Sequence, residues 1–272
     1  LWFLELKAVL FGQEIMKSHK TIIRNLAILD ELRKFGTVSI AEIAERLNVS
    51  EETIRRDGKN LEAKGEVIKL HGALALATLA GEAPYERRMR ENAEGKRAIA
   101  KLAASFVEDG DSVMMDGGTT TSIFSQELRS KKNLTVVTNS SDIARTLATV
   151  NGNKVYMAGG ELEGDNGAAF GPTAVNFLSR FRVKHAFISI SSITANDGPM
   201  DGLLTEAEIA AMALSRADHR VIISDSSKFV TSSRVKVCSF KDIHRIITDA
   251  PPEPKLAEVL EKAGVTINIA AH

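Results

Sequence analysis

The segment Val49 to Ala73, VSEETIRRDGKNLEAKGEVIKLHGA, constrains the fold of this chain more than any other. Ser50 is placed to cap a helix by accepting backbone N–H bonds, and Glu51 and Glu52 suit the positive end of its macrodipole. Ile54 and Leu61 fall on one face, which leaves Thr53, Arg55, Arg56 and Lys59 on others, and Gly65 is placed to end the helix. Val67 to Leu70 is a short β-prone run suited to one arm of a wing. Upstream, Ser39 and Glu42 form a capping-box pair opening a helix through Ile40, Ile43, Ala44 and Leu47, and Asn48 with Val49 makes the turn. Helix, tight turn and Arg-bearing helix predict a helix-turn-helix that enters a groove of double-stranded DNA, the alternative being two short amphipathic helices with surface arginines that touch no nucleic acid. Glu42, Glu45, Glu51, Glu52, Asp57 and Glu62 offset many of the basic residues, so a basic surface has to come from sidedness and not from net charge.

A chain of 272 residues accommodates a small domain and a larger one, each with a buried core. Its 35 basic and 35 acidic side chains cancel, which argues against strong non-specific polyanion binding by the whole molecule. The single cysteine, Cys238, excludes an intramolecular disulfide, fits a reducing cytoplasm, and reads as a small buried hydrophobe. No zinc pattern occurs, and no cofactor is implied. The opening LWFLELKAVLFGQEI is too short and too charged for a membrane span and lacks the features of a secretory signal. With Met16 just before the patterned region, residues 1–16 are expected to be an extension outside the functional fold, the alternative being an amphipathic helix docked on the body.

The punctuation sets the organisation. A first helix is expected from Thr21 to Lys34, with Ile22, Leu26, Leu29 and Leu32 facing a small core and Gly36 ending it. Ala73 to Asn92 reads as linker and lead-in, with Arg87, Arg88 and Arg90 a solvated charge run. From Glu94 short apolar strands alternate with helices. Strands are expected at Ser112 to Asp116, Leu134 to Thr138, Lys154 to Met157, His185 to Ser189, Arg220 to Ser224, Arg245 to Thr248 and Thr266 to Ile269. Helices are expected at Glu94 to Val107, from near Ser122, and at Asp142 to Thr149, Ala174 to Phe181, Glu206 to Arg216 and Lys255 to Ala263. That order predicts an α/β domain with a largely parallel sheet covered on both faces.

In such sheets a ligand sits beyond the carboxyl ends of the strands. The first strand is followed by Asp116, Gly117, Gly118, Thr119, Thr120 and Thr121, whose glycines let backbone approach an anion while the threonines supply hydroxyls at a helix start. The second is followed by Asn139 and Ser140, the third by Gly159 and Gly160, and the Arg220 strand by Asp225 and Lys228. Each motif alone is weak: DGGTTT lacks the Gly-Lys-Ser/Thr of a triphosphate loop, and no G-x-G-x-x-G follows the first strand. Their recurrence at successive strand ends supplies hydroxyls, amides and an ammonium suited to a phosphorylated polyol.

The segments SIAEIAERLNVSEETIRRD and LEAKGEVIKLHGA resemble the winged helix-turn-helix of the DeoR family of bacterial transcriptional regulators. The order MMDGGTTTS, VVTNSS, MAGGEL, FGPTAVNFLSRFRV, EAEIAAMALSRA, ISDSSKF and ITDAPP is similar to that family's effector domain, in the glycerol-3-phosphate repressor branch. The resemblance covers Lys17 to Ile269. It implies residues 17–72 as the DNA-binding domain, 73–92 as linker and 93–272 as a sensor of ribose-5-phosphate-isomerase-like type. The implied function is a cytoplasmic repressor of carbohydrate or polyol catabolic genes, released from its operator by a phosphorylated sugar or polyol, with glycerol-3-phosphate the first candidate. By position, the DNA contacts would be Ser50, Thr53, Arg55, Arg56, Lys59, Lys69 and His71. The phosphate would sit at Gly117 to Thr121 with help from Lys228, and Asp116, Asn139, Glu206 and Asp225 would meet ligand hydroxyls.

Kinship with an isomerase leaves a second reading, an enzyme using Asp116, Glu206 and Lys228 as base, electrophile and phosphate anchor. An attached reading head has a use in a regulator and none in an isomerase, so no enzyme is expected. Paired recognition helices need spacing of about 34 Å to occupy successive major grooves, which predicts a homodimer or homotetramer joined through the larger domain. The family pattern has leucine where this chain has Gly58 and glycine where it has Ala73. Gly58 falls on the core face between Ile54 and Leu61, so a loosely packed reading head is expected, with Gly58→Leu stabilising it.

Overall fold

The structure, a computed structural model, describes residues 21–32, 34–35, 37–63, 66–70, 72–76, 84–163, 165–229 and 233–271. The extension before Met16, the two expected helix stops Gly36 and Gly65, and the wing residue His71 lie outside them. The chain divides between residues 83 and 84 into two compact units.

The first unit begins with helix α1, whose described residues are 21–32 and 34–35, followed by β1 (Thr37–Ser39), α2 (Ile40–Arg46), α3 (Glu51–Ala63), β2 (Val67–Leu70) and β3 (Ala73–Leu76). Ser39 accepts from the Glu42 amide at 3.2 Å and the Glu42 carboxylate accepts from the Ser39 amide at 3.1 Å, so the expected capping box fixes the start of α2. Asn48 turns the chain into α3 with a φ of 50°, a conformation asparagine tolerates better than most residues. Ile28, Leu32, Ile43, Ile54, Leu61, Val67 and Leu74 form the core. The buried stripe of α1 therefore runs through Asn25, Ile28, Leu29 and Leu32, whereas Ile22 and Leu26, expected inside, are exposed because they fall off that stripe.

The segment Ala73 to Leu76 is not linker. It is the central strand of an antiparallel sheet ordered β1-β3-β2, pairing Leu74 with Val38 on one side and Lys69 on the other. Its small, alternating ALAL sequence carries little strand propensity, and tertiary pairing decides. Leu74 also answers the question posed by Gly58. A Cβ added at Gly58 would lie 3.1 Å from both Leu74 methyl carbons, so the space of the missing leucine is filled from the wing. Asp57, buried next to it, pairs with Arg24 and ties α3 to α1.

In the second unit come α4 (Tyr85–Arg90), α5 (Ala93–Ala104), β4 (Ser112–Met115), α6 (Thr119–Glu127), β5 (Thr135–Thr138), α7 (Ser141–Leu147), β6 (Lys154–Met157), α8 (Gly171–Leu178) and β7 (Val183–Ile188). They are followed by β8 (Ser192–Thr194), β9 (Gly198–Asp201), α9 (Leu204–Ser215), β10 (Ala217–Ile223), β11 (Val235–Lys236), β12 (Arg245–Thr248), α10 (Pro254–Lys262) and β13 (Thr266–Ile269). Seven of these strands form one parallel sheet, ordered β13-β12-β10-β7-β4-β5-β6. Alternate side chains go to opposite cores. Val113, Met115, Phe187 and Val221 pack under Ile99, Phe124 and Ile143, while Met114, Ala186, Ile188 and Ile222 pack under Leu178, Ile209 and Leu260.

Each strand expected from sequence is present in this sheet, and the helix expected near Ser122 begins earlier, at Thr119. A second sheet, ordered β11-β9-β8, was not foreseen. Its strands are short, β9 opens on Gly198 and Pro199, and side-chain periodicity cannot register elements of that size. No helix among the described residues is long and apolar enough to cross a membrane.

Because Leu74 occupies the pocket, Gly58→Leu is expected to lower the melting temperature by overpacking, at a cost of about 1–3 kcal/mol. Combining it with Leu74→Ala exchanges the two volumes and should recover much of the loss. Thermal unfolding of both variants checks this, and a raised melting temperature for Gly58→Leu alone would show that the pocket has room.

Candidate functional sites

In α3, the Ser50 hydroxyl accepts from the Thr53 amide at 3.3 Å and shares a 2.9 Å hydrogen bond with the Thr53 hydroxyl. Both residues are thereby engaged in starting the helix. Arg55 pairs with Glu51 at 2.5 Å and lies 4.0 Å from Glu52, and Lys69 of β2 meets Glu62 at 3.1 Å. Arg56 and Lys59, one turn apart and exposed, have no ion pair with another described residue. The sequence-level set of cations therefore separates into two paired side chains and two uncommitted ones. Exposed pairs of this kind contribute about 0–1 kcal/mol, so Arg55 and Lys69 remain cheap to re-aim toward phosphate.

In the second unit the chain runs outward through β4, β5 and β6, then returns to place β7 on the other side of β4. The seam between β4 and β7 is thus the topological switch point, where crevices open at the carboxyl ends of strands. The Asp116 carboxylate closes that seam. It accepts from the Ser189 amide at 3.1 and 3.2 Å and from the Ser189 hydroxyl at 3.0 Å. Burial pushes the Asp116 carboxyl up from 3.8 to about 6, against the hydrogen bonds from Ser189 that pull it down.

The two glycines that follow answer first to packing. A Cβ on Gly118 would sit 1.7 Å from the Ser189 hydroxyl oxygen, and one on Gly117 would sit 2.7 Å from the Ala168 methyl. Thr121 donates to the carbonyls of Asp116 and Gly118, both at 2.9 Å, and so locks the loop. Gly118 caps α6 without a side-chain hydrogen bond, so the first-turn amides of Thr119 and Thr120 keep the anion-attracting character of a helix start.

Past β5, Asn139 is fully buried and donates to the Ala169 carbonyl at 3.0 Å, while its Oδ1 has no hydrogen-bond partner among the described residues. Ser140 caps α7 by accepting from the Ile143 amide at 3.3 Å. Gly159 and Gly160 are exposed beyond β6, the outermost strand on that side, and Glu206 lies in the first turn of α9, in the opposite helical layer. Beyond β10, Asp225 is buried and accepts from the Ser227 hydroxyl and, at 3.2 Å, its amide, shaping the turn that carries Lys228. The ends of β4 and β10 are separated by β7, which puts them about 10 Å apart.

Sequence reasoning missed two participants. Ser189 lies on the seam itself; the polar turn after the apolar strand AFI was its only mark. Lys96, on α5, is 3% exposed, and its ammonium donates to the Arg88 carbonyl. Burial lowers its pKa, Asp225 opposes that effect and Lys228 reinforces it. Asp249 accepts from the Asn92 side chain at 2.8 Å and from the Ser226 amide at 2.7 Å, and so joins the start of α5 to the turn beyond β10 that carries Asp225 and Lys228. The signal was legible: Lys96, Ile99, Ala100 and Ala103 form one helical stripe, so a lysine occupies a core-facing position. The described residues contain no group of three His, Cys, Asp or Glu side chains placed to hold a metal. Cys238 is half-buried and free, with burial pushing its thiol up to about 12, which makes it a poor nucleophile.

Comparison with known proteins agrees with both units. Residues 24–79 match the DeoR-like helix-turn-helix domain, and residues 91–250 match the DeoR C terminal sensor domain. The glycerol-3-phosphate regulon repressor of Escherichia coli is 29% identical over 237 residues, 87% of this chain and 94% of that protein. The HTH-type transcriptional regulator GlpR of Haloferax volcanii is 32% identical over 230 residues, 84% of this chain and 90% of that protein. Among solved structures, ribose 5-phosphate isomerase A from Methanocaldococcus jannaschii aligns with a TM-score of 0.38 at 17% identity, covering 52% of this chain and 56% of that one, too distant a likeness to bear on function. The helix-turn-helix, the parallel sensor sheet and the extent of both matches make this chain a member of the DeoR family of DNA-binding transcription regulators.

Proposed function

We propose that this regulator is a cytoplasmic repressor that holds its operator as a symmetric oligomer and releases it when a phosphorylated sugar or polyol occupies the β4–β7 edge of the sensor sheet. The observation that carries the ligand half is the buried Asn139 Oδ1, which has no partner among the described residues, next to the uncapped start of α6. A buried amide oxygen left unpaired costs about 1–3 kcal/mol, and a ligand hydroxyl would satisfy it. The phosphate then lies over the first-turn amides of α6 with Lys228 beyond. The name of the Escherichia coli relative makes glycerol-3-phosphate the first compound to try. Binding to the DNA-incompetent state lowers operator affinity by the ligand's preference for that state. Operators come from selection out of random DNA by the protein itself, and failure to enrich any sequence would count against the DNA half.

Arg56 and Lys59, uncommitted on the exposed side of α3, are expected to dominate DNA affinity. Arg56→Ala should weaken operator binding more than Arg55→Ala, whose side chain is shared with Glu51. Anisotropy titrations over a range of salt separate base reading, seen as lost sequence preference, from phosphate contact, seen as a shallower salt slope. Equal losses for the two variants would contradict this ordering.

Lys228→Ala combined with Thr120→Ala should retain DNA binding and lose release by glycerol-3-phosphate. Thr120 is chosen because Thr121 locks the loop. A double variant released like the wild type would place the phosphate elsewhere.

Asp116 provides a pH test. Its folded pKa, about 6, lies above the ordinary 3.8. Its contribution to stability is therefore complete below 3.8 and is lost as pH rises through about 6. Asp116→Asn removes that loss, so its melting temperature relative to wild type should rise between pH 5 and pH 7. A difference that stays flat across this interval would mean that Asp116 does not titrate there.

A further inference from the structure

Helix α4 is the first element of the sensor unit in chain order, so the linker to the reading unit ends at its amino terminus. It is fastened at both ends. At the amino end the Tyr85 amide donates to both Asp165 carboxylate oxygens at 3.0 Å, and the Tyr85 hydroxyl donates to the Ser122 hydroxyl at 2.6 Å, in the first turns of α6. At the carboxyl end the Arg88 carbonyl accepts from Lys96.

That second fastening is unusual in its economy of partners. Lys96 is 3% exposed, and an ammonium has three donors, yet Arg88 O is its only hydrogen-bond acceptor among the described residues. A buried cation with donors to spare invites an anion, and Asp249, which accepts from the Asn92 side chain at 2.8 Å and from the Ser226 amide at 2.7 Å, holds the start of α5 against the turn that carries Lys228, where Asp225 is already engaged by Ser227. The Lys96 ammonium already gives the Arg88 carbonyl a charge-assisted hydrogen bond, and a phosphate adds to this the attraction of opposite charges. A phosphate held at Lys228 therefore draws the Lys96 ammonium toward itself and away from Arg88 O.

We propose that Lys96 is the second cation of the effector site and reports its occupancy to α4: an anionic group held between Lys96 and Lys228 takes the ammonium from the Arg88 carbonyl and loosens the helix to which the linker is joined. The ligand side of this inference rests on the effector site proposed above, whereas the hold of Lys96 on α4 in the empty protein is tested independently of any ligand. Empty, α4 is pinned at both ends and the protein is competent for DNA. Occupied, α4 keeps its Tyr85 end and the approach of the Arg88 guanidinium to Asp165 at 3.8 Å, and loses the hold of Lys96 on the Arg88 carbonyl.

The test measures binding of the full chain to an operator selected by the wild type, by fluorescence anisotropy, with Lys96→Met and Tyr85→Phe as variants. Methionine keeps the unbranched apolar stem and removes the ammonium. With no anion added, Lys96→Met should bind operator about tenfold more weakly than wild type and show no further release by glycerol-3-phosphate. Hydrogen exchange should be faster at residues 85–90 while the amides of β4 and β7 stay protected. Wild-type operator affinity in Lys96→Met overturns the proposal, whatever the ligand does. Weakened affinity with full further release by glycerol-3-phosphate also overturns it, because another cation then reads the anion. If Lys96→Met does not fold, Tyr85→Phe decides, since loss of the hydroxyl bond to Ser122, with the residue-85 amide still on Asp165, should also weaken operator binding and an unchanged affinity refutes the role of α4. Failure of glycerol-3-phosphate to release the wild type would count against that ligand assignment alone, because the ligand-free comparison still decides whether Lys96 pins α4.

Discussion

The clasp between Asp116 and Ser189 is the interaction on which the sensor depends. Parallel neighbours cannot be joined by a tight turn, and β4 and β7 meet only after the chain has passed through β5 and β6 and crossed back. Past the last ladder pair, Met115 with Phe187, one carboxylate receiving two donors of Ser189 ties their carboxyl ends together, with Gly118 too close to that hydroxyl to carry any side chain. Thr121 closes the loop from within. The loop is therefore fixed by protein groups, and the amino end of α6 is in place without a ligand. Such preorganisation spares a ligand the entropy of ordering its own site.

Much of this was legible in the sequence. The seven apolar runs of the large sheet, the helices between them and the polar turns after each strand all emerge from periodicity and turn chemistry. What escaped was decided by contacts remote in sequence. Ala73 to Leu76 looks like flexible linker because nothing local marks it as a strand; Val38 and Lys69, on the two flanking strands, make it one. Gly58 looks like a defect because the leucine that compensates for it lies sixteen residues later, across the wing. Ser189 is ordinary in its own strand, and only the crossover brings it to Asp116. Lys96 is the instructive case, since a lysine on an apolar stripe is visible before any fold is known, whereas its neighbours Arg88, Asp225 and Lys228 are not assembled until the sheet is built.

The structure also changes the meaning of several glycines and hydroxyls. Gly117 and Gly118 first appear as relief for an approaching anion, but both are required by protein atoms already in place. Thr121 and Ser140 first appear as ligand hydroxyls, but their oxygens serve the loop and the start of α7. Subtracting these committed groups narrows the chemistry still available to the amides of α6, Asn139 Oδ1 and the cations beyond β10. Cations and amides both favour an anion, and the roughly 10 Å between the ends of β4 and β10 gives a small phosphorylated molecule room to touch more than one strand end.

Coupling such a site to DNA does not require a large rearrangement. A tenfold change in operator affinity corresponds to about 1.4 kcal/mol, close to the roughly 1.5–3 kcal/mol contributed by one hydrogen bond to a charged group. Lys96 exchanging a carbonyl for a phosphate oxygen lies on that scale, and so does the Tyr85 hydroxyl at the other end of α4. The sheet beneath them has no comparable freedom, because its ladders, its two cores and the Asp116 clasp are all satisfied without a ligand. Helix α4, six residues long and tied to Ser122 at one end and Lys96 at the other, is the first sensor element after the linker, and it is there that the proposed exchange at Lys96 would carry a signal from the strand ends.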